Sequence, residues 1–458
     1  MRQKNGTMKN TGSEREKNME ILQAAHRAWQ NGARLREMRL KCKNFTYGKQ
    51  DVDNEFSRGL KVGAQLPKTE PETTNNLIHN LVKTVVGRWR ANAEEGGRTM
   101  LSELDARALE EFLISGCCIQ RGDERPLISG GGKEVVNVNL NKFFVNNSYD
   151  PLGRDIEIIG QLHDLSVSDL LRKVSGGSRR RAEEIRLLYT IDAAERIAGC
   201  SAALGADGQS STRFWNSERG KCRAIEVWTL ESREVLVCHD RSRAELFMIP
   251  IERAAEIRGK GYSTRWDIKH LWRCRWFSPM GDLLTDYYSP FGHSSHPFAV
   301  KMYPLSDGEV HSFVEGLIDQ QKYVNRLINL MMRIIRSSAK GVLLYPQEAL
   351  PDGFTWSDVR SLWSASDSIL PFSTRFSSMK PEQVSANNTD IGAKEMLNLQ
   401  MRLFEEISGV SSALQGRSGA SNIGAGVYEQ QVANATHALQ DIYSSFENFL
   451  TERNLKLG

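Results

Sequence analysis

The sequence predicts an α+β chain, helical at its start, β-rich through its middle and closed by long helices. Three patterns carry that expectation. Apolar residues recur at helical spacing over about 19–42, 73–93 and 100–116. A block from 223 to 303 is instead rich in β-branched and aromatic residues punctuated by turns. Then Val310, Phe313, Val314, Leu317, Ile318, Val324, Leu327, Ile328, Met331 and Ile335 trace one apolar face of a single long helix.

Residues 1–18 are polar and read as a disordered basic arm. After the three amino-terminal helices, 118–160 turns strand-like, with Val135, Val136, Val138 and Leu140 beside the hairpin signal Gly130-Gly131-Gly132. Helices at 166–174 and 181–198 lead into a polar linker, 205–211. An antiparallel meander is expected from strands at 223–231, 234–239, 244–250, 267–278, 283–288 and 297–303. Ser306 stands three residues before Glu309, a capping-box spacing that places the start of the long helix near 308 and its end near 338. About 30 residues at 1.5 Å each give a rod of roughly 45 Å, which suits spanning or assembly better than holding a pocket, or equally a long amphipathic helix laid in a large core. A mixed segment, 340–388, has strand candidates at 341–345 and 368–372. Helices at 391–408 and 427–452 then flank a Ser/Gly-rich loop.

Composition narrows the function classes. Lys and Arg number 60 against 56 Asp and Glu, too even a balance to argue nucleic-acid binding from the total. Distribution says more: twelve basic residues lie between Arg2 and Lys49 against four glutamates. A second run sets Arg265, Lys269, Arg273 and Arg275 among Trp266, Trp272, Trp276 and Phe277. Such interleaving grips phosphate and bases, or equally marks a strand with one buried aromatic face. Seven cysteines without framework spacing point to free thiols in a reducing compartment. No apolar run reaches membrane-spanning length and no signal-peptide core precedes the chain, so no membrane partner is expected and folding belongs in a cytoplasm.

Catalytic motifs are weak. Gly130-Gly131-Gly132-Lys133-Glu134 has Glu134 where a phosphate-binding loop needs Ser or Thr. Cys222, Cys238, His239 and Cys274 lack the short pairing of structural zinc. His293 and His296 flank Ser294-Ser295 in a turn, and Asp150 and Asp155 around Pro151 read as turn chemistry. No catalytic residue, metal ligand or cofactor is expected.

Four stretches, in order, resemble the portal proteins of tailed bacteriophages. They are Ala28-Trp29 leading through Arg34, Arg36 and Arg39 to Tyr47-Gly48-Lys49-Gln50; Phe143-Phe144-Val145-Asn146-Asn147 to Asp150-Pro151 and Leu165-Ser166-Val167-Ser168-Asp169-Leu170; Asp319-Gln320-Gln321-Lys322-Tyr323-Val324-Asn325, which looks like the family's Asp-x-Gln-x-x-x-Asn helix; and Ile407-Ser408-Gly409-Val410. The resemblance implies a portal fold: wing 19–307, first stem helix 308–338, a small α/β clip 339–388, returning stem helix 389–408, tunnel loop 409–426 and a wing helix within 427–458. A crown would ordinarily follow; the chain stops at Gly458, so the crown is expected to be absent or truncated. The implied function is a non-enzymatic, dodecameric ring in the virion at the capsid vertex, assembled in the bacterial cytoplasm. Double-stranded DNA would pass through it without sequence reading, and the terminase large subunit, capsid and tail adaptors would dock on it. Arg417 is the first DNA-facing candidate, with Arg326, Arg333, Arg336 and Lys340 behind it; Trp356 and Trp363 are candidate docking residues in the clip. The alternatives are a metal-dependent nuclease-like enzyme, which would need converging carboxylates, or another virion adaptor or scaffold.

Overall fold

The computed structural model describes residues 12–50, 74–95, 102–124, 133–199, 214–217, 220–240, 245–256, 262–340, 342–364, 370–374, 380–384, 392–410 and 425–457. The predicted disorder at 1–18 falls partly outside them; from Gly12 onward the chain is helical. α1 (Gly12–Asn31) and α2 (Ala33–Thr46) replace the single expected helix, broken at Gly32. α3 (Leu77–Glu95) and α4 (Ser102–Ser115) follow close to their expected bounds.

β1 (Cys117–Glu124), β2 (Lys133–Asn137) and β9 (Phe298–Met302) make one antiparallel sheet in the order β2-β1-β9. The glycine triplet at 130–132 lies outside the described residues. A larger sheet runs β3 (Phe143–Val145), β4 (Ile158–Leu165), β5 (Cys222–Asp240), β7 (Ser263–Phe277), β8 (Leu283–Tyr288), with β6 (Glu245–Pro250) also paired to β5. Its inner residues alternate faces. Ile225 and Val227 join Leu22, Ala25 and Ala28 of α1, whereas Ala224 and Trp228 join Leu170, Leu171 and Val174 of α5 (Val167–Val174) and Ile185 and Tyr189 of α6 (Arg179–Gly199). Gly160 is required where β4 crosses β5: a Cβ there would sit 2.1 Å from the Glu226 carbonyl oxygen.

Three expectations are corrected. The strands at 223–231 and 234–239 are one strand of 19 residues, because β7 pairs with it without a break from Ile225 to His239. Ser306 and Glu309 do not cap a helix. They face each other across a two-residue hairpin, Leu305–Ser306 with Glu309–Val310 (β10 and β11), turned by Asp307 and Gly308 at φ 52 and 79. Asp-Gly with both residues left-handed is the favoured hairpin turn, and it wins over the capping-box spacing. The long helix, α7, therefore begins ten residues late, at Ile318–Lys340 after a 3₁₀ turn, and its 23 residues span about 35 Å. In the following segment, the described part of the strand expected at 368–372, residues 370–372, is not strand, and 368–369 lie outside the described residues; β12 (Val342–Leu344) pairs with β13 (Glu382–Val384), and a helix unforeseen in sequence, α8 (Trp356–Ser364), lies between. α9 (Ala393–Ser408) returns against α7, and α10 (Ala425–Leu457) closes the chain. Phe404 of α9 and Leu439, Tyr443, Phe446 and Phe449 of α10 share a core with α3, α4 and the foot of α7.

Candidate functional site

The foot of α7 is a buried polar junction. Gln321 and Asn325 lie one turn apart on a face otherwise built of Leu317, Ile318 and Val324, and both are fully buried. A buried amide costs stability unless its groups are hydrogen-bonded, and here they are. Gln321 Oε1 accepts from the backbone N–H of Leu77 (2.9 Å) and Ile78 (3.3 Å), while its Nε2 donates to the Asn75 carbonyl (2.6 Å). Asn325 Oδ1 accepts from the Asn75 N–H (3.0 Å), and its Nδ2 donates to Gln50 Oε1 (2.6 Å). Gln50 in turn donates to the Phe45 carbonyl (2.8 Å). Asn76 completes the start of α3 by accepting from the His79 N–H (3.1 Å). The open N–H groups at the start of α3 are thus capped partly by its own Asn76 and partly by a helix some 240 residues on. Two of the stretches that carried the resemblance, Tyr47 to Gln50 and Asp319 to Asn325, meet here. The fourth ends close by in the core: Gly409 at φ 66 closes α9 and Val410 is fully buried among α7-side residues.

Beyond this foot, α7 and α9 run together and turn apolar side chains outward. On α7, Tyr323 and Leu330 are about half exposed, seven residues apart, with the half-buried Leu327 between them. On α9, Met396, Leu399 and Ile407 are about half exposed and, with half-buried Leu403, fall at i, i+3, i+7 and i+11 on one face. β12 and β13 then tie both ends of 342–384 together, Val342 opposite Val384.

The sequence-predicted site residues are spread across this unit. Arg326 is exposed on α7, its guanidinium 6.0 Å from the Tyr323 ring. Arg333 and Lys340 follow along the helix at intervals of seven residues, and Arg336 lies between them. Arg417 lies outside the described residues. Trp356 opens α8, about half exposed and edge-on to Tyr345 at 5.9 Å; Trp363 is half-buried in the same helix. Of the basic–aromatic run, Trp276 and Phe277 are buried in the sheet, while Arg273 pairs with Asp286 and Glu231 and Arg275 with Glu231. That end of the run is a strand with its cations neutralised.

The remaining polar clusters serve the fold. Asp155 accepts from Ser148 Oγ (2.7 Å) and from the N–H groups of Tyr149 (2.6 Å) and Asp150 (3.2 Å), and Asp150 accepts from the Leu152 N–H (2.9 Å). Burial opposes ionisation of Asp155, but these donors outweigh it and hold the carboxyl below its usual range. The carboxylates of the nuclease alternative are occupied in a turn. Among the described residues, no group of three or more His, Cys, Asp or Glu is placed to hold a metal ion, and no helix is long and apolar enough to cross a membrane. Sequence reasoning missed Glu226 of β5. It is fully buried, accepts from Trp228 Nε1 (2.8 Å), and pairs with His163 Nε2 (2.7 Å) and with Arg121 from the other sheet. Burial works against its charge, yet Arg121 and His163 keep its carboxyl far below the ordinary range.

The order of a long helix, a strand-tied segment and a returning helix can be set beside known families. The description of the phage P22-like portal proteins matches residues 181–449, more than half of the chain. The chain belongs to that family. Within it this portal chain is a structural phage protein, a subunit of the channel by which DNA is packaged. No curated protein matches the portal chain. The matched span holds α7, α9 and everything between them, so the exposed apolar stripes lie within it.

Proposed function

We propose that this portal chain assembles as a dodecameric ring in which α7 and α9 are the two stem helices, 339–388 is the clip, and 409–426 is the tunnel loop. The single observation that supports it best is the pair of outward apolar stripes, Tyr323–Leu327–Leu330 and Met396–Leu399–Leu403–Ile407, on adjacent helices. Apolar faces of that length in water favour burial against a copy of the same chain, and a head-to-tail contact that closes makes a ring. Rotational symmetry then repeats Arg417, and behind it Arg326, Arg333, Arg336 and Lys340, as rings of positive charge around the duplex. Such contacts neutralise phosphate and read no bases, which a sliding duplex requires. Trp356 and Trp363 give the clip an aromatic surface for the terminase large subunit during packaging and a tail adaptor afterwards. The experiment is native mass measurement of the purified chain with class averages from negative stain. A ring of about a dozen copies with a central hole is expected; a stable monomer or dimer would overturn the ring reading.

A further inference from the structure

The larger sheet sends out an arm. β4 pairs with β5 as far as Thr229, and β8 pairs with β7 only from Arg273 onward. Beyond those points β5 continues for eleven residues to Asp240, held only by β6 and the first part of β7. At about 3.3 Å per residue, the arm extends roughly 35 Å from the body of the sheet. All eight residues from Ser263 to His270 are exposed, although successive side chains point to opposite faces. Within the arm Val235 and Cys238 are buried and the 3₁₀ turn Ile251–Glu256 packs on β5 and β6, whereas the β7 side stays open to solvent.

Register defines what each face offers. Leu236 stands opposite Ile249 on one side and Trp266 on the other; Glu234 stands opposite Ile268, and Cys238 opposite Phe247. Paired residues of an antiparallel ladder share a face, so Leu236, Ile249, Trp266, Ile268 and Phe247 make one apolar patch. Trp266 is 52 % exposed and Ile268 45 %. Arg265, Asp267 and Lys269 fall on the reverse face. A small sheet gains independent stability only when an apolar face is packed, and an exposed patch of this kind marks a contact.

We propose that this arm is a clasp between subunits, its Trp266 face laid on the adjacent copy of the same chain; this rests on the ring reading above. Charge argues against nucleic acid as the occupant. Among the described residues of that face the carboxylate is Glu234, which accepts from Trp266 Nε1 at 3.3 Å, while the cations Arg265 and Lys269 point the other way. A neighbouring copy fits because the arm lies wholly inside the residues matched to the portal family, and in the ring proposed above every arm has an identical subunit on either side at a fixed distance.

The test places the photo-crosslinker benzoylphenylalanine at position 266 of the full chain, isolates assembled rings, irradiates them and resolves the products under denaturing conditions. Covalent dimers and higher multiples are expected, and adding a 30-base-pair duplex should leave them unchanged. Rings that yield only monomer, or protein–DNA adducts in place of dimers, overturn the clasp while leaving the ring intact. No ring from the unsubstituted chain overturns both readings. In parallel, Ile268→Asp should raise the concentration at which rings fall apart about tenfold, whereas Lys269→Ala on the reverse face should not; equal behaviour of the two variants overturns the assignment of the face.

Discussion

At the residue scale, Gln321 shows why a polar side chain persists on an apolar helix face. Its amide serves the backbone of Asn75, Leu77 and Ile78 at once. Gln321→Leu keeps the volume but strands those groups without partners, and equilibrium denaturation in urea should show a loss of about 2 kcal/mol. An unchanged midpoint would mean that water caps α3 equally well. Histidines give the second residue-scale prediction. His296 is buried edge-on to Trp272, and burial, with the positive Lys456 and nearby His293, pushes its pKa well below the ordinary value. His163 moves in the same direction, first through burial. A histidine with a lowered folded pKa takes its proton first in the unfolded chain. The stability it permits is complete above the unfolded value of about 6.5 and is lost as pH falls below it, by up to about 1.4 kcal/mol per pH unit for each group. The unfolding midpoint should therefore drop between about pH 6.5 and 5, and His296→Phe should flatten that slope; an unaltered slope would remove His296 from the account. Legibility differs among these residues. The Asp-x-Gln-x-x-x-Asn string was visible as a resemblance, but its chemistry was not, since its partners Gln50 and Asn75 lie some 250 residues away. Glu226 gave no local signal, because a carboxylate within an apolar strand declares its role only when Arg121 and His163 are brought to it.

At the scale of elements, helices were read best because their periodicity is local. α3, α4, α5 and α9 lie within a few residues of their expected bounds, and the helices flanking the Ser/Gly-rich loop are both present. The errors arose where a local signal had two meanings. The capping-box spacing at Ser306 and Glu309 is also the spacing of a cross-strand pair around a two-residue turn, and Asp307-Gly308 decided between them. β5 was divided in two because continuity across 19 residues is set by β7, a distant partner. α8 gives little periodic signal because, among its described side chains, Val359 alone is buried, whereas the shorter α5 buries Leu170, Leu171 and Val174 on one face. The half-buried Ile328 of α7 belongs to this scale. Ile328→Asp should abolish ring formation as measured by native mass, with helicity by circular dichroism retained; an intact ring would show that this face meets no neighbour.

At the scale of the whole molecule, the amino-terminal helices and α10 share one core with the foot of α7, α9 packs along α7, and β12 pairs with β13. The α+β mixture and the family were legible from the order of segments, since order survives where individual residues vary. The ring geometry was not, because symmetry is a property of copies. The prediction that belongs here is Arg417→Ala. Rings of the parent's mass and symmetry should form while DNA packaging or retention, measured as nuclease-protected DNA per particle, declines severalfold; failure to assemble would place Arg417 in a subunit contact instead.

The pairing of Val342–Leu344 with Glu382–Val384 has a mechanical corollary. A segment hung on one strand swivels; one held by two strands locked in register is a ribbon that resists twisting. β12 begins two residues after α7 ends, so a torque applied to 342–384 reaches the helix with little room for slack. Tension divides between two covalent backbones running side by side, and the hydrogen bonds between them keep alignment without bearing the pull. A partner gripping that segment would therefore hold a lever rather than a tether, and what it turns, the helix behind it must follow.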